Sequence, residues 1–174
     1  LQVMFAASLQ SVTGGAASDD SRMASYLVLA TIPAGLVGLL AGDLIEEQLR
    51  SLPVIATTTL VFGLLLGSAD RRASRSPGGR SLNLTTARVI GAAQALAPVP
   101  GVSRSGITMT AGLMLGLTRQ AAARFSFLLS IPIIAAAGTL KLRELLDSPL
   151  EPDWAVLVIG LVVSAVTAYC CIAV

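Results

Sequence analysis

The sequence predicts an all-α, polytopic integral membrane protein, built from transmembrane helices and one re-entrant, or broken, helix-loop-helix. Of its 174 residues, 54% are hydrophobic and only 13% are charged, and its mean hydropathy is +0.79. A soluble protein of this size needs more charge to cover its surface. Soluble helices also carry a polar face, which several long uncharged runs of this chain lack. These observations indicate a fold that is built in lipid.

Charge and aromatic content argue against a nucleic-acid partner. The formal net charge is only +2, and the chain has four Phe, two Tyr and one Trp. Such a chain offers neither a strong basic field nor a stacking platform for bases. Cys170 and Cys171 are adjacent within an apolar segment, so they provide no disulfide framework. We therefore expect membrane lipid, and no nucleic acid, as a partner.

The apolar runs predict the transmembrane helices in order. The hydrocarbon core is about 30 Å thick and needs about 20 apolar residues in a helix. The uncharged runs 23–42, 51–69 and 154–174 meet this requirement. The run 125–140 is shorter, and a helical continuation back to Gln120 makes it a fourth span.

Both ends of the chain have features of an interrupted sequence. Residue 1 is not Met and no basic leader precedes the run 1–18, which we interpret as the tail of a helix followed by the loop "TGGAAS". The C-terminal "YCCIAV" stops inside an apolar run without the anchor that usually closes a membrane helix. We expect 1–174 to be a single membrane domain that is a fragment of a longer protein.

A basic segment at 70–88 predicts the orientation of the chain in the membrane. Five arginines lie there on a tether rich in Ser, Pro and Gly. By the positive-inside rule this loop is cytoplasmic, which puts the acidic connection around Asp43, Glu46 and Glu47 on the outside. A nucleic-acid role for this basic run is less expected than a topology signal. The five residues are Arg71, Arg72, Arg75, Arg80 and Arg88.

Pairs of glycines at four-residue spacing are typical of close helix packing in membranes. Lipid gives helices no hydrophobic drive to associate, and small residues allow their backbones to approach. We expect packing contacts, and no chemistry, from three pairs. These are Gly38 with Gly42, Gly63 with Gly67, and Gly112 with Gly116.

The stretch 89–118 predicts a helix that breaks inside the membrane. Pro98 and Pro100 each lack a backbone donor and resist helix continuation, and Gly101 permits backbone angles that other residues avoid. We expect a helix from about Ala87 to break near Pro98.

A second half-helix is predicted from Ser103 to Leu117, with Ser103 or Ser105 as its N-cap. Neither half is long enough to cross the bilayer alone, so the pair forms a re-entrant hairpin or one broken span. Irregular backbone at membrane depth is tolerated only against protein or a water-filled cavity. A cavity is therefore implied.

The start of the second half-helix has the chemistry of an anion site. A helix N-terminus favours negative charge. Arg104 matches phosphate oxygens bidentately, and Ser103, Ser105 and Thr108 add hydroxyl donors. An uncompensated arginine at membrane depth costs at least about 2.5–3.5 kcal/mol, and no carboxylate lies nearby in the sequence. A phosphate or diphosphate would supply the missing partner. The alternative is that Arg104 snorkels to the interface while the hydroxyls bond back to carbonyls.

Residues 89–131 closely resemble the second signature region of the bacterial undecaprenyl-diphosphate phosphatase family, of the bacitracin-resistance type. The match centres on Gln94 to Ala97, Pro100 to Gly106 with Thr108, and Ala121 to Leu128. The flanks match more loosely, so that the resemblance covers the chain from about Ser25.

The resemblance implies a membrane enzyme of inverted repeats, in which two re-entrant elements meet at the active site. The family removes the terminal phosphate of undecaprenyl diphosphate and regenerates the C55 monophosphate carrier for cell-wall synthesis. A multi-pass location in the bacterial plasma (inner) membrane follows. By this resemblance the catalytic clamp is Arg104, Ser103 and Ser105, and the binding residues are Thr108, Gly101, Gly106 and Gln94.

The resemblance also exposes a gap. The first signature of the family, with two glutamates and a loop resembling Pro-Val-Ser-Ser-Thr-Gly-His, is not found, and the chain has no histidine. The carboxylates fall in predicted loops outside the second signature, and none has the position of a general base. Our hypothesis is that the chain holds the diphosphate-binding half and lacks the catalytic partner half.

No His, Cys, Asp and Glu residues have the spacing of a metal site, so no metal ligands are predicted. A divalent cation, Mg²⁺ or Ca²⁺, is expected to bind with the diphosphate oxygens.

Two further functions stay open from the sequence. Broken helices around a midplane anion site also occur in secondary transporters, so a transporter or flippase of polyprenyl phosphate lipids is an alternative. The third hypothesis is a structural membrane fragment without activity.

Overall fold

The computed structural model describes residues 19–75, 79–147 and 153–173, and every regular element within these ranges is a helix. The predicted helix tail and loop at 1–18 lie outside the described residues. The helices are α1 (Asp19–Gln48), α2 (Leu52–Arg75), α3 (Leu84–Gln94), α4 (Arg104–Met114), α5 (Arg119–Asp147) and α6 (Trp154–Ala173).

Of the six helices that the structure describes, four are long and apolar enough to cross a membrane, and two are not. The four candidate spans are Ser21–Gly42, Leu52–Ser74, Arg119–Asp147 and Trp154–Cys171. They coincide with the four predicted runs, so the all-α polytopic membrane fold is confirmed. The helices α3 and α4 have 11 residues each. Each is roughly 16 Å long, about half of the hydrocarbon thickness.

The chain divides into two compact units, Leu1–Ala136 and Ala137–Val174. The described part of the first unit contains α1 to α4 and the first part of α5. The second contains the rest of α5 and α6, and the side chains of α6 that the structure describes are exposed. The single membrane domain that we expect over 1–174 stays a prediction.

Small residues bring α1 and α3 together in the first unit. A Cβ added at Gly91 would lie 2.6 Å from the Cα of Ala30, so the two backbones cross at a distance that only glycine permits. Ala87 and Ile90 of α3 are fully buried at this crossing. The helix α4 packs against both α2 and α3, and Phe125 of α5 joins the same core.

The predicted glycine contacts are largely wrong for the described residues. A Cβ at any of four of these glycines would meet no described atom within 4 Å. Gly112 does make a contact, because its Cβ would lie 3.1 Å from the Cβ of Ala122. Gly116 has φ +87° and follows the end of α4, where it serves the turn and not helix packing. The four glycines without neighbours are Gly38, Gly42, Gly63 and Gly67.

The basic loop is shorter than the predicted 70–88. The helix α2 continues through Arg75, because "DRRASR" contains no Pro or Gly to stop it. The helix α3 begins at Leu84, where Asn83 accepts a hydrogen bond from the Thr86 N–H at 2.8 Å. The cytoplasmic placement of this connection stays a prediction.

The carboxylates that we expect in loops lie partly in helices. Asp43, Glu46 and Glu47 belong to α1, which continues to Gln48. Asp70 belongs to α2 and Glu144 to α5. The loop assignment is wrong at these positions because apolar helices continue into polar residues until a breaker is reached.

Candidate functional site

The first half-helix ends at Gln94, four residues before Pro98. Pro98 has no N–H that could reach the Gln94 carbonyl, and it also disfavours the helical conformation at Ala97. The Ala97 N–H donates to the Gln94 carbonyl instead, at 2.9 Å. This bond spans three residues rather than four. The chain then continues in turns, in which the Val102 N–H donates to the Val99 carbonyl at 3.1 Å.

Ser103 is the N-cap of the second half-helix, which confirms one of the two predicted caps. Its backbone is extended, and its Oγ accepts from the Gly106 N–H at 3.2 Å. Its carbonyl accepts from the Ile107 N–H at 2.9 Å. The Ser105 Oγ lies 3.3 Å from the Ser103 Oγ, so both hydroxyls stand at the N-terminus of α4. The helix ends at Met114, three residues before the predicted end.

Arg104 is the first residue of α4 and is partly buried. Its Nη1 is buried and has no hydrogen-bond partner among the residues that the structure describes. No carboxylate among the side chains that the structure describes pairs with it. A buried guanidinium nitrogen without an acceptor is costly. The site therefore has an unused donor that an anionic oxygen would satisfy.

Gln94, at the other side of the break, is also unsatisfied. The residue is 0% exposed, and neither its Nε2 nor its Oε1 has a hydrogen-bond partner within the described ranges 19–75, 79–147 and 153–173. A side-chain amide carries hydrogen-bond donors and an acceptor, so burying it without hydrogen-bond partners has no benefit for folding. The end of α3 and the start of α4 thus each hold a buried polar group without a partner.

Thr108 lies one turn after Arg104 and is 1% exposed. Its Oγ1 is 2.7 Å from the Ser126 Oγ and 3.0 Å from the Arg104 carbonyl. One proton arrangement satisfies both contacts: Ser126 donates to Thr108, which donates to the carbonyl. Thr108 therefore links α5 to the backbone of Arg104, and its contact with a substrate stays a prediction. No role of Ser126 was predictable from the sequence, although it lies inside the matched stretch.

The two site glycines shape the backbone. Gly101 has φ +89°, and a Cβ there would lie 2.6 Å from the Ile55 carbonyl of α2. No other residue fits this position without moving the loop. A Cβ at Gly106 would lie 3.1 Å from the Cβ of Ser103, close to the N-cap. The predicted close approach of a substrate to the backbone of these two glycines stays a prediction.

Two threonines of α2, which the sequence analysis missed, bind the loop between the half-helices. The Thr58 Oγ1 donates to the Pro100 carbonyl at 2.6 Å, and the Thr59 Oγ1 donates to the Gly101 carbonyl at 3.2 Å. Threonine inside an apolar helix is common, so no sequence signal distinguishes these two from their neighbours.

Arg119, the first residue of α5, provides a contrast. Its Nε and Nη2 donate to the two carboxylate oxygens of Asp70 at 2.5 and 2.8 Å, and Nη2 also donates to Ser74. Both partners of this bidentate pair are about half exposed. This ion pair joins the end of α2 to the start of α5.

The described residues fit no metal site of their own. Among them, no three His, Cys, Asp or Glu side chains come together in a way that could hold an ion. The divalent cation that we expect with a diphosphate stays a prediction about the ligand.

The chain matches the model of the family described as bacitracin resistance protein BacA over residues 1–174. It is 54% identical over 164 residues to the undecaprenyl-diphosphatase of Teredinibacter turnerae, an alignment that covers 94% of this chain and 62% of that protein. It is 53% identical over 167 residues to the undecaprenyl-diphosphatase of Hahella chejuensis, covering 94% of this chain and 61% of that protein. The chain spans about three fifths of the length of these curated relatives.

Proposed function

The chain belongs to the bacitracin resistance protein BacA family, and from this membership we propose that it acts as an undecaprenyl-diphosphatase. In the proposed reaction, water attacks the terminal phosphorus of undecaprenyl diphosphate. The bond from that phosphorus to the bridging oxygen breaks, which releases inorganic phosphate and leaves undecaprenyl phosphate. The lipid product returns to cell-wall synthesis as a carrier. The name of the relatives supports hydrolysis over the alternative of lipid transport.

The single structural observation that carries this proposal is the Nη1 of Arg104 at the N-terminus of α4, which is buried without a partner among the described residues. A phosphate oxygen satisfies a guanidinium donor with a charge-assisted hydrogen bond. The first N–H groups of a helix have no acceptor within the helix and also favour an anion. Both preferences are met by one ligand class, a phosphate or diphosphate.

The residues of the clamp have separate roles in the proposal. Arg104 binds the diphosphate and offsets the negative charge that grows on the bridging oxygen as its bond breaks. Ser103 and Ser105 donate hydrogen bonds to phosphate oxygens. Neither hydroxyl has an imidazole or a carboxylate among its described partners, so we assign them binding and not nucleophilic attack. We assign no general base to residues 94–126.

The remaining predicted residues support the clamp. Gln94 offers its buried amide to a phosphate oxygen, and Gly101 and Gly106 hold the backbone in the shape that the clamp needs. Thr108 fixes the Arg104 carbonyl.

The surroundings of the site follow from the same proposal. The chain lies in the bacterial plasma (inner) membrane as a multi-pass protein, and the isoprenoid tail packs against apolar helix faces. A divalent cation, Mg²⁺ or Ca²⁺, accompanies the diphosphate as part of the substrate, since such ions prefer oxygen ligands.

The test measures phosphate release from undecaprenyl diphosphate by the purified full chain in detergent micelles with Mg²⁺. Arg104→Ala is compared with Arg88→Ala, which removes an exposed arginine of α3. Binding of radiolabelled farnesyl diphosphate is measured on the same samples. Release that is lost only in Arg104→Ala supports the whole proposal.

Other outcomes separate the two parts of the proposal. Arg104-dependent binding without release would limit this chain to the diphosphate-binding role, and hydrolysis would then need groups outside it. Equal binding by Arg104→Ala and Arg88→Ala would contradict the proposed site.

A further inference from the structure

The loop between the half-helices leaves backbone carbonyls without helical partners. Residues 95–102 are not helical, so the carbonyls of Pro100 and Gly101 receive no N–H from a following helical turn. At membrane depth an unsatisfied carbonyl is costly, because no lipid group can donate to it. Donors for these two oxygens must therefore come from cavity water or from another part of the protein.

The helix α2 supplies these donors through two consecutive hydroxyls. The Thr58 hydroxyl is 2.6 Å from the Pro100 carbonyl, and the Thr59 hydroxyl is 3.2 Å from the Gly101 carbonyl. Thr58 also lies 2.8 Å from the Val54 carbonyl and 3.1 Å from the Ile55 carbonyl, but a hydroxyl carries only one proton. The Val54 and Ile55 carbonyls already accept N–H groups within α2, so we assign the proton of Thr58 to the Pro100 carbonyl, which is also the nearest acceptor.

The backbone of Gly101 brings the loop within reach of these hydroxyls. Gly101 has φ +89°, and a Cβ added there would lie only 2.6 Å from the Ile55 carbonyl, so the loop lies directly against α2. Val102, the next residue, is buried, and Ser103 then caps α4. Gly101 lies only three residues before Arg104 in the chain. A shift of the loop on α2 therefore moves the start of α4.

Thr57, the preceding residue of α2, has no such contact. Its side chain is exposed, and its hydroxyl donates at 2.7 Å to the Pro53 carbonyl of its own helix. It is therefore a matched control for the two residues that follow.

We propose that Thr58 and Thr59 are positioning residues, which hold the loop 95–102 against α2 and thereby keep Arg104 and Ser103 in place for a diphosphate. This inference rests on the proposed function for its ligand. The position of the loop itself is open to measurement without any ligand.

The experiment compares the full chain with four variants in detergent micelles. Thr58→Val and Thr59→Val remove the hydroxyl and keep the branched shape, Thr58→Ser keeps the hydroxyl, and Thr57→Val is the control. Amide hydrogen exchange is followed over 97–107, and binding of farnesyl diphosphate and the unfolding temperature are measured alongside.

Thr58→Val is expected to speed exchange at the amides of Val102, Gly106 and Ile107, and to leave α1 and α3 unchanged. It should weaken farnesyl diphosphate binding roughly threefold to tenfold, the effect of losing one hydrogen bond. Thr59→Val should act in the same direction with a smaller effect, since its bond is longer. Thr58→Ser should restore both readouts, and Thr57→Val should match the wild type.

Three outcomes would overturn the inference. The first is unchanged exchange over 97–107 in Thr58→Val, whatever the binding result. The second is exchange that rises over the whole chain together with a lower unfolding temperature, which means general destabilisation. The third is failure of Thr58→Ser to restore protection.

The proposed function is tested independently of this inference. If Arg104→Ala binds farnesyl diphosphate as the wild type does, the diphosphate site is wrong. The exchange data still decide whether the threonines hold the loop.

Discussion

Two arginines of this protein occupy the same position in their helices and have opposite surroundings. Arg104 is the first residue of α4, and Arg119 is the first residue of α5. Arg119 is about half exposed and has both oxygens of Asp70 as acceptors. Arg104 is more buried, yet in the described part of the chain its Nη1 has no acceptor and no carboxylate pairs with it.

The difference shows how a binding cation differs from a structural one. A protein that needs an arginine only for packing can supply a carboxylate from a neighbouring helix, as α2 does for Arg119. Burial without such a partner destabilises the free protein, and an anionic ligand removes that penalty on binding. The unpaired arginine is the one to which we assign the diphosphate.

The largest expected effect is the loss of Arg104. Arg104→Ala should weaken farnesyl diphosphate binding at least about a hundredfold, because two charge-assisted hydrogen bonds are removed. Equilibrium binding in detergent measures this change. A tenfold or smaller loss, within roughly 1.4 kcal/mol, would mean that the helix N-terminus and hydroxyls hold the ligand without the guanidinium.

A smaller loss of binding is expected when residue 104 keeps its positive charge but loses the planar guanidinium group. Arg104→Lys is expected to bind farnesyl diphosphate about tenfold more weakly than the wild type, because an ammonium makes no bidentate contact. The same binding assay applies. Affinity equal to the wild type would show that a point charge suffices.

The hydrogen bond between the Thr108 and Ser126 hydroxyls should contribute to the stability of the fold more than to ligand binding. Thr108→Val leaves the buried Ser126 hydroxyl without its partner, while the Arg104 carbonyl keeps its helical N–H, and this should lower the free energy of unfolding by about 1–3 kcal/mol. Denaturant unfolding in mixed micelles measures it. Thr108→Ser, which keeps the hydroxyl, should lose clearly less, and equal losses would assign the effect to packing.

The smallest effect is expected at the paired arginine. Arg119→Ala should leave farnesyl diphosphate binding unchanged and lower the unfolding temperature only slightly, because exposed ion pairs contribute little and are screened by salt. The difference from wild type should shrink at high ionic strength. Weakened binding in Arg119→Ala would break the comparison, since it would give the paired arginine a role in the site.

The spans and the break were predictable because their causes lie within one segment. Four long helices follow from the length and hydropathy of uncharged runs, and the break follows from two prolines without donors. The end of α3 was placed four residues too late. The loss of the Pro98 donor acts on the carbonyl of Gln94, one turn earlier.

The clamp residues were predictable as a local motif, but their surroundings were not. The sequence placed Ser103, Arg104 and Ser105 together at a helix start, and the N-cap geometry agrees. It also indicated Thr108 as a pocket residue, which stays a prediction, but it gave no sign of the 2.7 Å contact between Thr108 and Ser126 of α5. Burial of a helix residue depends on which neighbouring helix covers it.

The sequence by itself determined the elements of this protein: the lipid-spanning helices, the interrupted pair, and the cation at the start of α4. Only the tertiary structure decided the pairings, which join Arg119 to Asp70 across 49 residues and Thr58 to Pro100 across 42. Glycine spacing also failed to locate the contact of Gly91 with Ala30. In lipid, helices associate through shape and scattered hydrogen bonds, and neither leaves the periodic apolar pattern by which a sequence reveals its spans.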